Sequence, residues 1–220
     1  MARAMSAKQI ISLRRETIDL GGVWKDCVGA MDRRCVVFVW GNSGNGKTSA
    51  VMSLCRELCA KGLRGIYLSL EEGFSVSMQD TLRRFGMEEC GSLFKVAESC
   101  SMTELTDRLA RRRSEDFFVI DSIQYLRLTY RQYVFIKNNW PNKLFILVSH
   151  ADGRQPEGRS ARSIMYDSAL KIWVEGYAAF SKGRFIGSTG KAVIWEKGAR
   201  DYWGEDMGRT QDDENDNDNQ

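Results

Sequence analysis

Proline is almost missing, with 2 in 220 residues, and histidine occurs once, at His150. With so little proline and 43% apolar residues, including 10 Phe, 7 Tyr and 6 Trp, the chain is no disordered, collagen-like or Pro-rich scaffold and has a core to bury. No apolar run approaches the ~18–20 residues that cross a bilayer. The stretch Ile10-Ile11-Ser12-Leu13 is too short and too interrupted for a signal peptide. The expectation is a soluble, cytoplasmic protein with no membrane partner. Cys27, Cys35, Cys55, Cys59, Cys90 and Cys100 form no C-x-x-C pair, and one histidine cannot supply a zinc cluster. Cys55 and Cys59, one helical turn apart, read as small side chains in a core, so no cysteine metal site is expected.

Basic residues are missing from the last ten positions, which hold Asp212, Asp213, Glu214, Asp216 and Asp218. Without those five acids, 24 acidic residues face 32 basic ones, leaving +8 on residues 1–210. A basic body with an acidic tail is common among nucleic-acid proteins, and a merely solubilising tail gives the same pattern. The length fits one sizeable domain.

What is present is an alternation. Residues 34–40 (RCVVFVW), 65–70 (GIYLSL), 117–120 (FFVI) and 143–149 (KLFILVS) are continuous apolar runs of the kind found in strands buried on both faces. Helical spacing predicts helices over 3–16, 47–61, 75–85, 102–113 and 123–138, the fourth opened by a capping box at Ser101 and Glu104. A short strand is expected over 92–96, a loop over 151–163, and late strands at 170–174 and 191–195 with a hairpin at Gly187 to Gly190. Strands alternating with helices predict an α/β fold with a mainly parallel sheet. The expected organisation is an N-terminal helical segment (1–24), a core (25–204) and an acidic disordered tail (205–220).

The strongest motif is Gly41-Asn42-Ser43-Gly44-Asn45-Gly46-Lys47-Thr48, a G-x-x-x-x-G-K-T sequence set between a buried strand and a helix. Its glycines let the backbone pass close to a phosphate chain and aim several amides at it. The helix N-terminus adds partial positive charge. Lys47 reaches the β- and γ-phosphates of ATP, and the Thr48 hydroxyl is placed to ligate Mg2+.

Asp121 ends a buried strand 74 residues later, at the sheet edge where ligands sit. It is the candidate second metal acid, unless it only caps the next helix. Glu71 and Glu72 end another strand at that edge, and Glu71 is preferred as the acid that takes a proton from the attacking water; an exposed loop acid is the plainer reading. His150 ends a fourth strand there, placed to report the γ-phosphate or serving only structure.

In this order, GNSGNGKT, YLSLEEG, FFVIDS and LFILVSH resemble the RecA-type P-loop ATPase core, nearest its RadA branch with the DnaB-type helicase core beside it. The chain looks like the minimal single-domain forms of phages and mobile elements. It lacks the zinc module and protease-like domain of RadA proteins and the collar of DnaB-type helicases. The resemblance implies Mg2+-dependent ATP hydrolysis and a ring or filament of copies. It also implies a basic element on a late strand reaching a neighbour's ATP, where Lys197 and Arg200 fit loosely or form only a basic turn. In such proteins the segments after the third and fourth motif strands face DNA. Here that implicates Arg154, Arg159 and Arg162 in sequence-independent contact with single-stranded DNA. The Tyr125 to Tyr133 segment can stack on bases or belong to the core.

The resulting expectation is an ATPase acting on DNA in recombination, repair or replication, with the tail contacting a protein of that machinery. The alternative is a nucleotide-gated loader or KaiC-like switch that does not bind DNA. A small-molecule kinase is weaker, because no Arg-rich lid is visible.

Overall fold

The computed structural model describes residues 4–204. A five-residue helix α1 (Ala7–Ile11) leads to a two-stranded ribbon, β1 (Thr17–Ile18) with β2 (Met31–Asp32), and then to β3 (Val36–Gly41) and α2 (Lys47–Ala60). Next come β4 (Gly65–Ser69), α3 (Val76–Arg84), β5 (Phe94–Ala97), α4 (Met102–Ala110), β6 (Phe117–Asp121) and α5 (Tyr130–Asn139). The chain continues through β7 (Leu144–Asp152), β8 (Gln155–Pro156), α6 (Arg159–Asp167), β9 (Leu170–Glu175), β10 (Ala178–Gly183), β11 (Lys191–Val193) and α7 (Glu196–Trp203).

The main sheet runs β11-β10-β9-β3-β7-β6-β4-β5, with β8 hairpinned onto β7. Strands β9, β3, β7, β6, β4 and β5 are mutually parallel, and β10 and β11 extend the β9 edge antiparallel. Alternate residues divide between two cores. Val37, Val39, Tyr67, Val119 and Ile146 face α2, while Phe38, Ile66, Phe118, Ile120 and Phe145 face α4, α5 and α6. Two apolar faces explain the unbroken apolar runs. The ends of β3, β6 and β7, and the turn after β4, meet at one edge, with the glycine loop at the β3 end between β7 and β9.

Four expectations need correction. Residues 123–129 are not helical: Arg127 is left-handed (φ 52°), and α5 starts only after Thr129, which forms a capping box with Gln132. Competition from that side-chain cap explains the late start. Residues 151–163 are not a loop. β7 continues to Asp152, β8 turns back on it, and α6 begins at Arg159, so Arg159 and Arg162 are helical. Residues 196–203 form α7 rather than a turn or strand. The N-terminal helix covers 7–11 instead of 3–16. Strand β10 was not foreseen, because Ala178-Ala179-Phe180-Ser181-Lys182-Gly183 carries little β-branched character. The tail expectation lies outside the described residues.

Gly65 opens β4 flat against the Phe117 ring on β6; an added Cβ would lie 1.9 Å from the ring. Gly65→Ala is therefore expected to destabilise the protein by about 1–3 kcal/mol through overpacking. Urea unfolding checks this, and an unchanged midpoint would mean the ring shifts without cost.

Candidate nucleotide site

Residues 41–48 form a loop that the rest of the chain holds in shape. An added Cβ on Gly41 would fall 2.1 Å from the Val174 carbonyl oxygen on β9, so only glycine lets β3 lie this close. Gly44 and Gly46 take φ of 78° and 90°, where other residues are strained. Asn45 braces the loop from the β9–β10 turn: its Oδ1 accepts from Gly176 N (2.8 Å) and its backbone oxygen accepts from Tyr177 N (3.1 Å). The Lys47 ammonium folds back on its own loop and donates to the Asn42 carbonyl at 3.0 Å. Burial holds it below the usual lysine range, opposed by the charges of Asp121 and Glu71.

Asp121 is buried at the end of β6. The fully buried Tyr67 of β4 donates its hydroxyl to the Asp121 carboxylate. Burial pushes the Asp121 carboxyl up to about 6; the Tyr67 bond and Lys47 pull it down, and Glu71 and Glu72 push it further up. Burial and the neighbouring Asp121 raise the Tyr67 phenol well above its usual range. The result is a desolvated carboxylate close to a desolvated ammonium.

His150, half-buried on β7, has a carboxylate at each ring nitrogen. Nε2 lies 2.8 Å from Glu71 Oε2, and Nδ1 lies 3.4 Å from Glu157 Oε2. The Tyr125 ring meets the imidazole edge-on at 6.2 Å. Gln124 ties this edge together, donating to Ser149 Oγ (2.8 Å) and to the Glu157 carbonyl (3.1 Å).

The structure thus brings together Lys47, Asp121, Glu71 and His150, with Glu72 felt through its charge on Asp121. Glu71, rather than Glu72, touches His150. Lys197 and Arg200 stand exposed on α7, carried near the loop by the β9–β10 turn and the Tyr177–Trp195 ring contact (4.8 Å). Arg154, Arg159 and Arg162 are also exposed. Arg154 lies in the β7–β8 turn, where its carbonyl accepts from Trp40 Nε1 (3.0 Å). Arg162 donates to the Pro156 carbonyl (3.2 Å).

Tyr67 and Gln124 were missed as site residues, and Asn45 was expected in the phosphate loop but not as its brace. The period-2 pattern places Tyr67 on the same face as Ser69, and Ser69 is the register partner of Asp121, but that register is not written in the sequence. Asn45 and Gln124 act through partners more than 20 residues away, beyond any local signal.

The residues fit a magnesium nucleotide. The space in front of Gly44 is open, with nothing within 4 Å of an added Cβ. Directly after Asp121, the fully buried Ser122 hydroxyl has no hydrogen-bond partner among the described residues. Thr48 at the first turn of α2 and Asp121 are the residues that would hold the metal.

No protein-family model matches the chain, and no curated protein matches it. Solved structures do. A KaiC-like protein from the hyperthermophilic archaeon Pyrococcus horikoshii OT3 superposes with a TM-score of 0.56 at 16% identity, covering 79% of this chain and 88% of its own. The flagellar accessory protein FlaH from Methanocaldococcus jannaschii gives 0.57 at 13% identity, covering 77% and 87%. The fold is the RecA-like α/β fold of these structures, with a mainly parallel sheet flanked by helices. At these identities the likeness shows the fold and assigns no branch. Among the described residues no helix is long and apolar enough to cross a membrane.

The raised Asp121 carboxyl has a consequence for the nucleotide-free protein. A folded-state pKa above the unfolded one makes its contribution favourable below about pH 4 and lost as pH rises through about 6. Asp121→Asn is therefore expected to melt higher than the parent at pH 7.5, by up to ~3 kcal/mol, with the gain gone below pH 4. Melting curves at both pH values check this; a variant less stable at pH 7.5 contradicts it.

Proposed function

We propose that this chain is a Mg2+-dependent ATPase whose nucleotide state controls contact with single-stranded DNA. The observation that carries the reading is the meeting of the Lys47 loop, the buried Asp121 and the Glu71–His150 pair at one sheet edge. Bound there, Mg-ATP supplies the phosphoanhydride to be cleaved, and its metal draws charge from the phosphate oxygens. Lys47 exchanges the Asn42 carbonyl for phosphate oxygens, and the first amides of α2 add their donors. Glu71 orients a water and accepts its proton, for which it must leave His150. His150 then turns toward Glu157 and the Gln124 network, and the β7–β8 hairpin that carries Arg154 shifts with it. Placement and electrostatics do most of the work.

Arg154, Arg159 and Arg162 contact the phosphates of the strand. Tyr125 and Tyr130, both more than 40% exposed, offer rings in the segment that also carries Arg127 and Arg131. Copies assemble in a ring or filament, and Lys197 or Arg200 completes a neighbour's site. The acidic segment 205–220 contacts a replication or recombination protein.

One observation favours the second reading, a nucleotide-gated switch for a protein partner. Helix α1 buries no residue, and Ile10, Ile11 and Leu13 stand exposed, an apolar stripe ready for a partner.

Steady-state ATPase assays with and without single-stranded DNA decide between them. Lys47→Ala should abolish turnover, and Glu71→Gln should slow it about 10²–10⁴-fold while nucleotide still binds. DNA should stimulate the parent, and the stimulation should fade with salt and with Arg154, Arg159 and Arg162 changed to Ala. Turnover indifferent to DNA at low salt would favour the switch, and full activity in Lys47→Ala would overturn both.

A further inference from the structure

Three of the six cysteines meet where α2 packs on the segment Met87–Leu93. Cys55 and Cys59 lie one turn apart on α2 and are 0% and 4% exposed; Cys90 is half-buried and packs against the same core. All three are free thiols, and Cys59 donates its S–H to the Cys90 sulfur. Among the described residues no group of three His, Cys, Asp or Glu side chains is arranged to hold a metal ion, so this is no thiolate metal site.

The three thiols differ in what they can do. Burial, helped by the adjoining Cys90 sulfur, pushes the Cys59 thiol up to about 12, so it keeps its proton and acts as the donor. Cys55 is raised as well, by burial first and then by the two neighbouring sulfurs, and solvent does not reach it. Cys90 alone of the three combines contact with a second thiol and access to solvent. The space beside it is open, since an added Cβ on Gly91 would meet nothing within 4 Å among the described residues. Arg56 of α2 donates to the Phe85 carbonyl (2.7 Å) and the Glu89 carboxylate (2.6 Å), which holds the residue before Cys90 against the helix that carries Cys59. Directly after Cys90, Gly91 (φ 51°, ψ −129°) breaks the segment into two short helical turns, a conformation suited to glycine.

We propose that Cys59 and Cys90 form a site of reversible oxidation, closing to an intramolecular disulfide in the presence of a small-molecule disulfide such as oxidised glutathione. The Cys90 thiolate attacks one sulfur of the small disulfide, whose S–S bond breaks, and one half leaves as a thiolate with the bonding electrons. Cys59 then gives its proton to a solvent base and attacks the Cys90 sulfur, forming the protein S–S bond and expelling the second half. Two protein thiols are oxidised by two electrons in all, and one small disulfide is reduced to two thiols. The sulfurs close from hydrogen-bond contact to ~2.05 Å. Because Cys59 holds its proton tightly, its attack is the slow step, on a scale of minutes to hours. The bridge closes a ring over residues 59–90, which contains β4, Glu71, Glu72 and α3, and ties it to the helix that begins with Lys47. Closing such a ring restrains the unfolded chain and so stabilises the fold.

The test incubates the full chain with oxidised glutathione under native conditions, alkylates the remaining thiols and maps the peptides by mass spectrometry. The expected product has lost two hydrogens, joins the Cys59 and Cys90 peptides, reverts with dithiothreitol and melts about 5–10 °C above the reduced chain. Cys90→Ser, at a half-buried position, should form no bridge and show no oxidant-dependent melting shift. Cys59→Ala should stop at the mixed disulfide between Cys90 and glutathione. In the parent, a Cys55–Cys59 bridge, glutathione adducts without a bridge, or a bridged form that melts no higher than the reduced chain overturns the proposal.

Discussion

The site depends on keeping a carboxylate and an ammonium out of water and close together without letting them neutralise each other. Asp121 sits at the buried end of β6 and is held by Tyr67 instead of by Lys47. Lys47 spends its hydrogen bond on the Asn42 carbonyl. Each charge is therefore desolvated and only partly compensated, an arrangement a folded protein keeps at some expense of stability. A ligand carrying both a divalent cation and polyphosphate satisfies the two at once.

The parallel sheet makes this possible. β3 lies between β7 and β9, and the absent side chain of Gly41 lets the Val174 carbonyl approach the start of the loop. Asn45 then locks the loop to the β9–β10 turn. The same turn leads β10 back along β9. On the other side, β6 and β7 deliver Asp121 and His150 to the same edge of the sheet, and Gln124 joins the segment after β6 to the end of β7.

Much of this was legible in the residues. The unbroken apolar runs gave β3, β4, β6 and β7 because strands covered on both faces need no polar alternation. The G-x-x-x-x-G-K-T spacing placed the loop, and the strand-end acids and His150 fell at the expected edge. What escaped depends on contacts distant in sequence. Tyr67 reads as one more apolar strand residue until the β4–β6 register puts it on the face of Asp121, where its hydroxyl reaches the carboxylate. Residues 151–163 look like loop because Gly153, Pro156 and Gly158 punctuate them, yet Gly158 starts α6, whose Ala161, Ile164 and Met165 are buried. The 196–203 segment holds Gly198 where Trp195 and Tyr177 leave no room for a side chain, so tertiary packing overrides its poor helix propensity.

The central claim is that the Lys47 loop and Asp121 together hold a magnesium-bound triphosphate. Titration calorimetry with ATP, in the presence and absence of Mg2+, tests it on the intact chain. The account predicts saturable heat with Mg-ATP that weakens when the metal is withheld and disappears in Lys47→Ala. No heat from the folded parent protein, or equal binding by Lys47→Ala, would contradict it.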